Sequence, residues 1–257
     1  MSIYVNTSII ASDDVNSAGQ VTNLKPYELP TDGLLFHLNA HNYTGAGPWY
    51  DNVQNIPMNL VGTANPKVLI NGIPAMQFNS SGYWESSTAN GQACDMTGEF
   101  TLVMVLYATP PTVRKTIFEK IPNTYQSYEQ ELAVTWETDN RMSYYTQYNT
   151  YSYGATQTLS SNTWNFLGIT INATRDNGYY FTPLLDFGDW ISSYTSRSTT
   201  APILANGIRI GSGYAGTVDN GYLHSCLIYG ASLSAQRMSN VRQYYLNLFS
   251  LAGATLI

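Results

Sequence analysis

The chain is 257 residues long, with Lys+Arg 11 against Asp+Glu 17 and a formal net charge of -6. Hydrophobic residues make up 44% but charged residues only 11%, and Asn, Ser, Thr, Gly and 21 Tyr fill their place, a balance that leaves no basic face to meet the phosphates of a nucleic acid. No apolar run approaches the ~20 residues of a spanning helix, so neither nucleic acid nor membrane is expected as a partner, and the hydroxyl-, amide- and phenol-rich surface suits an extracellular or particle-surface β protein.

Residues 1–32 read as an extended N-terminal arm. Ile3, Val5 and Ile9 carry its apolar positions, and Pro26 and Pro30 hold the intervening residues out of helix. The start has neither the basic residues nor the long apolar core of a secretory signal. From Gly33 onward, short runs of alternating or continuous apolar character recur between Gly, Pro, Asn and Asp. Residues 34–38 form the first. Residues 68–70 and 75–78 flank Asn71-Gly72, a strong hairpin signal. Residues 100–107 are nearly all apolar and predict a central strand buried on both faces. Further strands are predicted at 116–120, 131–136, 141–146, 164–171, 179–181, 207–211 and 222–229. In residues 164–171, Trp164, Phe166, Gly168 and Thr170 share one face and Leu167, Ile169 and Ile171 the other.

Only residues 233–249 have helical character, with Met238, Val241, Tyr245 and Leu248 near one stripe, Ser234 as N-cap and a Leu233–Met238 staple. An apolar tail, 250–257, follows. Many short strands at even spacing and one late helix describe an all-β antiparallel sandwich over residues 33–249. Cys94 and Cys226 are too few for a disulfide scaffold and read as free buried thiols.

The ordered segments resemble those of the concanavalin A-like (laminin-G-like) jelly-roll domains, as found in structural proteins of bacteriophages and large DNA viruses. Gly33-Leu-Leu-Phe-His-Leu-Asn-Ala-His-Asn42 is similar to the family's opening strand, and Trp49-Tyr50-Asp51-Asn52 to its following turn. Pro74-Ala-Met-Gln-Phe-Asn-Ser-Ser-Gly-Tyr83, Glu99-Phe-Thr-Leu-Val-Met-Val-Leu106 and Asn162-Thr-Trp-Asn-Phe-Leu-Gly-Ile-Thr170 resemble its later strands. Ile208-Arg-Ile-Gly211, Gly221-Tyr-Leu-His-Ser-Cys-Leu-Ile-Tyr229 and Leu233-Ser-Ala-Gln-Arg237 resemble its closing strand and helix start. The resemblance implies a jelly-roll fold and a setting in the virion. The fold alone does not imply an activity.

Candidate chemistry is sparse. Glu129 and Glu131 share a face if extended, as a glycosidase pair needs, but the acidic E-x-D-x-E strand of the family's hydrolase branch is absent. His37 and His41 lie on a strand-to-turn segment and need not converge on a metal. Laminin-G-like relatives often hold calcium, yet Asn79-Ser-Ser-Gly-Tyr83 lacks the carboxylates that they carry there, so no cofactor is expected. His224 and Ser225 are successive strand residues that face opposite ways, and Cys226 should share a face with His224 and Ile228. The expectation is therefore a non-enzymatic virion structural protein, a capsid, decoration or tail-associated subunit. It would act through contacts with other virion proteins or with itself, with Ile3, Val5, Ile9, Leu251, Leu256 and Ile257 at the interfaces. The alternative is a lectin-like module binding a cell-surface glycan through Tyr144, Tyr145, Tyr148, Tyr151, Tyr153, Trp84 and Trp190, because sugars stack on exposed aromatics.

Overall fold

A computed structural model describes residues 28–63, 66–87, 94, 96, 99–121, 132–148, 151–175, 178–184, 207–213 and 215–257. Two antiparallel sheets face each other. One runs in the order β13 (Gly178–Leu184), β12 (Trp164–Arg175), β7 (Phe100–Tyr107), β15 (Tyr222–Tyr229), β5 (Ile73–Gln77) and β4 (Lys67–Ile70), and β1 (Leu34–Asn39) also pairs with β15. The other runs β11 (Tyr151–Thr158), β10 (Arg141–Tyr148), β9 (Ala133–Trp136), β8 (Lys115–Ile121), β14 (Gly207–Ile210), β6 (Gly82–Ser86), β3 (Pro57–Gly62) and β2 (Trp49–Tyr50). The helix α1 spans Ala235–Leu251. The all-β sandwich with one C-terminal helix expected from the sequence is the fold observed.

The apolar pattern of β7 explains the layering. Leu102, Met104 and Leu106 alternate into the core between the sheets, where they meet Phe36, Trp84, Phe118 and Trp136. Val103, Val105 and Tyr107 face the other way, into a second core roofed by Met238, Val241, Tyr245 and Phe249 of α1. A strand buried on both faces is thus produced here by antiparallel neighbours and a helix, not by a parallel sheet. β12 divides its faces as its alternation predicts, with Leu167 and Ile169 in the first core and Trp164 and Phe166 in the second. The β4–β5 hairpin turns at Asn71 and Gly72, with φ of 52° and 79°, the positive values that a tight two-residue hairpin demands.

Ser234 caps α1 by accepting from the Arg237 N–H, and Leu233 and Met238 both pack into the second core. The buried Thr101 hydroxyl fixes the entry of the helix onto the sheet. Its Oγ1 lies 2.7 Å from Thr170 Oγ1, donates to the Ala231 carbonyl at 2.9 Å and accepts from the Leu233 N–H at 3.0 Å. Thr101→Val removes this acceptor while keeping the shape, leaving the Leu233 N–H unpaired. It should lower stability by about 1–3 kcal/mol in a denaturant titration.

The apolar chain end packs on its own domain. The helix continues through Ser250 to Leu251, and Gly253 then takes a φ of 73°. Residues beyond it lie along β12, where Phe166 N–H donates to Ile257 O at 2.8 Å and Ile257 N–H donates to Trp164 O at 3.0 Å. Leu256 is buried in the second core and Ile257 is half-buried. These two residues hold the sandwich's own edge together instead of waiting for a partner, because a short apolar strand gains both burial and backbone bonds there. Ile3, Val5 and Ile9 lie outside the described residues.

Candidate functional site

The sheet forks beside α1. β15 lies along β7 on one edge, but its other edge is shared. Tyr222 and Leu223 pair with β5, and Ser225 to Tyr229 pair with β1. His224 stands at the changeover. The register against β7 also shifts between Leu223 and Ser225, so that β15 carries a bulge there. Leu223 and Cys226 both face the core between the sheets, which breaks simple alternation across the residues between them. His224 consequently emerges on the helix side, edge-on to Trp164, Tyr245 and Phe249 at centroid distances of 6.3, 6.0 and 5.4 Å. The expectation that Cys226 shares a face with His224 is overturned by this bulge, a device that re-aims a side chain. Cys226 and Cys94 are both free and buried, and burial pushes the Cys226 thiol up, away from reactivity.

At the fork lies a pocket of about 540 Å³, within the ~300–1,000 Å³ typical of ligand sites. Its polar lining residues are His37 and Asn39 of β1, His41 and Asn42 of the 3-10 turn Ala40–Asn42, Asn52 and His224. Its apolar lining residues are Ile73 and Pro74 of β5 and Tyr244, Leu248, Leu251 and Ala252 at the end of α1. All three histidines of the chain thus meet at one place.

Local hydrogen bonds hold the polar lining residues. The buried Asp51 carboxylate accepts from the backbone N–H of His37 at 2.6 Å and of Gln54 at 2.7 Å, pinning the turn after β2 to the middle of β1. Asn39 Oδ1 accepts from the His41 N–H at 2.8 Å, and Asn42 Nδ2 donates to Asn52 Oδ1 at 3.0 Å. Lys67 Nζ donates to the carbonyls of His41 and Tyr43 at 2.9 and 2.8 Å, tying the turn to β4.

The two inner imidazoles are neutral at pH 7. Burial lowers His37 to about 4, helped by the nearby His224. Burial also lowers His224 to about 4, against the raising effect of its bond to Pro74 and with a further lowering from His41. His224 Nδ1 lies 2.8 Å from Pro74 O. A carbonyl can only accept, so Nδ1 carries the proton and Nε2 presents a lone pair. That Nε2 is buried and has no hydrogen-bond partner among the described residues. His37 Nε2 lies 3.2 Å from the Tyr245 hydroxyl. Among the described residues, no group of three or more His, Cys, Asp and Glu is placed to hold a metal ion.

The sequence-predicted contact residues fare differently. Trp84 is fully buried in the core, edge-on to Tyr43 and Trp49, and Tyr144 is buried as well. Neither can stack on a sugar, because β6 and β10 turn these rings inward between the sheets. Tyr145 and Tyr148 fall on β10 and Tyr151 and Tyr153 on β11, paired strands at the end of the second sheet. Trp190, Glu129 and Glu131 lie outside the described residues. Of the interface candidates, Leu251 is 80% exposed and stands on the rim of the pocket. Asn39, Asn42, Asn52, Tyr244 and Leu248 were not legible as site residues in the sequence.

No protein-family model and no curated protein matches the sequence. The fold is similar to that of Trypanosoma rangeli sialidase, with a TM-score of 0.59 and 16% identity, covering 94% of this chain and 36% of that one. It is also similar to the binding domain of botulinum neurotoxin DC, solved in complex with SialylT, at a TM-score of 0.61 and 14% identity over 84% of this chain and 52% of that one. The receptor-binding domain of the botulinum neurotoxin C/D mosaic serotype matches at 0.62 and 13% over 85% and 52%. The chain therefore spans about a third of the sialidase and half of the toxin domains. These β-rich sandwiches are related to the concanavalin A-like lectins. The expectation of a protein that does no chemistry does not stand, since the structures sharing its fold include sialidases as well as binding domains.

Proposed function

We propose that this protein is a lectin-like carbohydrate-binding module and that the pocket beside α1 is its binding site. The observation that carries the reading is that the pocket is lined both by imidazoles and amides and by aliphatic and aromatic side chains. A sugar needs both, since its hydroxyls require hydrogen-bond partners and its C–H faces require apolar contact. The fold neighbours support it. A sialidase of this likeness was solved with sialic acid and a toxin binding domain with SialylT. They lend no support to the virion-scaffold reading.

The full chain should retain glycans on an immobilised glycan array. Leu251→Glu places a charge on the apolar rim at an exposed position, where the fold has little to lose. It should weaken that retention at least tenfold with an unchanged melting temperature. Retention unaffected by Leu251→Glu would move the glycan site elsewhere, and no retention of any glycan by the native chain would sink the reading.

A further inference from the structure

Resting on that glycan reading, we infer that the pocket recognises sugars carrying an acetamido group, engaged at its mouth by the paired amides of Asn42 and Asn52. The lining residues divide by exposure. His37, Ile73 and His224 are buried, whereas Asn42, Asn52 and Leu251 are exposed and are met first by an entering ligand. Recognition therefore falls to the outer three.

Asn42 Nδ2 donates to Asn52 Oδ1 at 3.0 Å, which uses one half of each amide. Asn42 Oδ1 is left as an acceptor and the Asn52 NH2 group as a donor. Among the described residues, neither has a further hydrogen-bond partner. Both side chains also stand on fixed backbone. The Asn52 N–H donates to His37 O at 2.9 Å, and the neighbouring Asp51 carboxylate gathers the N–H groups of His37, Val53 and Gln54. Lys67 Nζ donates to the carbonyls on either side of Asn42, those of His41 and Tyr43. A donor and an acceptor held this way need little further ordering when a ligand arrives.

An acetamido group matches this arrangement in three parts. Its N–H can donate to Asn42 Oδ1, and its carbonyl can accept from Asn52 Nδ2. Its methyl group needs apolar contact, which the second observation supplies. Leu251 is 80% exposed at the end of α1, and Leu248, one turn earlier, lines the same pocket. A lone exposed leucine is ordinary, but this one borders the pocket that the amide pair also lines. A hydroxyl in the place of the acetamido group could bond to the amides but would bring no methyl to the leucines.

The test compares matched ligands on the glycan array. Triacetylchitotriose and cellotriose differ only by an acetamido group in place of a hydroxyl on each ring. Glycans ending in N-acetylgalactosamine and in galactose form a second pair. The acetamido member of at least one pair should be retained about tenfold more strongly than its partner. Asn52→Asp keeps the shape and still accepts from Asn42, but it replaces the free NH2 group by an oxygen. It should abolish the preference while leaving the melting temperature unchanged, because the position is exposed. Leu251→Ala, which withdraws the contact for the methyl group, should narrow the preference severalfold.

Retention of glycans without a preference for the acetamido members overturns the inference and leaves the glycan reading intact. A preference that survives Asn52→Asp also overturns it, since the acetamido group would then be met elsewhere. A blank array removes the glycan reading and the inference with it.

Discussion

Lowering the pH from 7 to 4 should destabilise the sandwich by several kcal/mol, with most of the loss falling below the ordinary histidine pKa of 6.5 and complete near 4. His37 and His224 are held neutral in the folded protein, with pKa values lowered to about 4. In the unfolded chain they take up protons near 6.5, so acid draws the equilibrium toward the unfolded state through that window. Their stabilisation is thus fully present above 6.5 and lost on the way down. A depression of this size corresponds to about 3 kcal/mol for one group. The loss for the pair is not simply twice that, because His224 is itself one cause of the lowering at His37. Denaturant midpoints measured across pH 4–7 give the curve. His224→Phe should begin lower, having lost its bond to Pro74, but should shed about half of the pH dependence. An unchanged slope in this variant would place the acid sensitivity elsewhere.

Trp84→Ala should lower stability by about 3–5 kcal/mol, as expected for emptying a large aromatic site in a packed core. Trp84 is fully buried and packs edge-on against Tyr43 at 5.3 Å and Trp49 at 5.9 Å between ring centroids. Its indole N–H has no hydrogen-bond partner among the described residues, so Trp84→Phe should cost less than about 1.5 kcal/mol, since the smaller ring also removes an unsatisfied donor. Urea titrations of both variants separate the two roles assigned to this residue. A stable Trp84→Ala protein that had lost only glycan affinity would restore Trp84 as a stacking platform and contradict its burial.

The fold was readable because its strongest determinants are local. The apolar run of β7, the Asn71-Gly72 turn and the Ser234 cap each specify their element within a few residues. The helical stripe was nearly right as well. Met238, Val241 and Tyr245 are buried as expected, but Phe249 completes the buried face and Leu248 turns toward the pocket. Aromatics were harder to place. A Trp or Tyr in a strand looks the same in sequence whether its face meets the opposing sheet or a ligand, and Trp84 and Tyr144 were misjudged for that reason. The pocket was hidden for a different reason. His37 and His41 lie four residues apart but His224 lies more than 180 residues further on, and only the shared edge of β15 brings them together. Alternation, the one rule available for His224, fails at a bulge.

That bulge has a consequence for how such a site is gained or lost. Residues on either side of it are out of phase, so the strand reads correctly in two halves that disagree by one position. Removing a single codon at His224 would bring the halves into phase, carry β15 from β5 to β1 without interruption and take away the imidazole at the floor of the pocket. Every other element could stay where it is. The smallest change in chain length that a gene can undergo therefore separates a strand whose halves agree from one that turns an imidazole toward its helix.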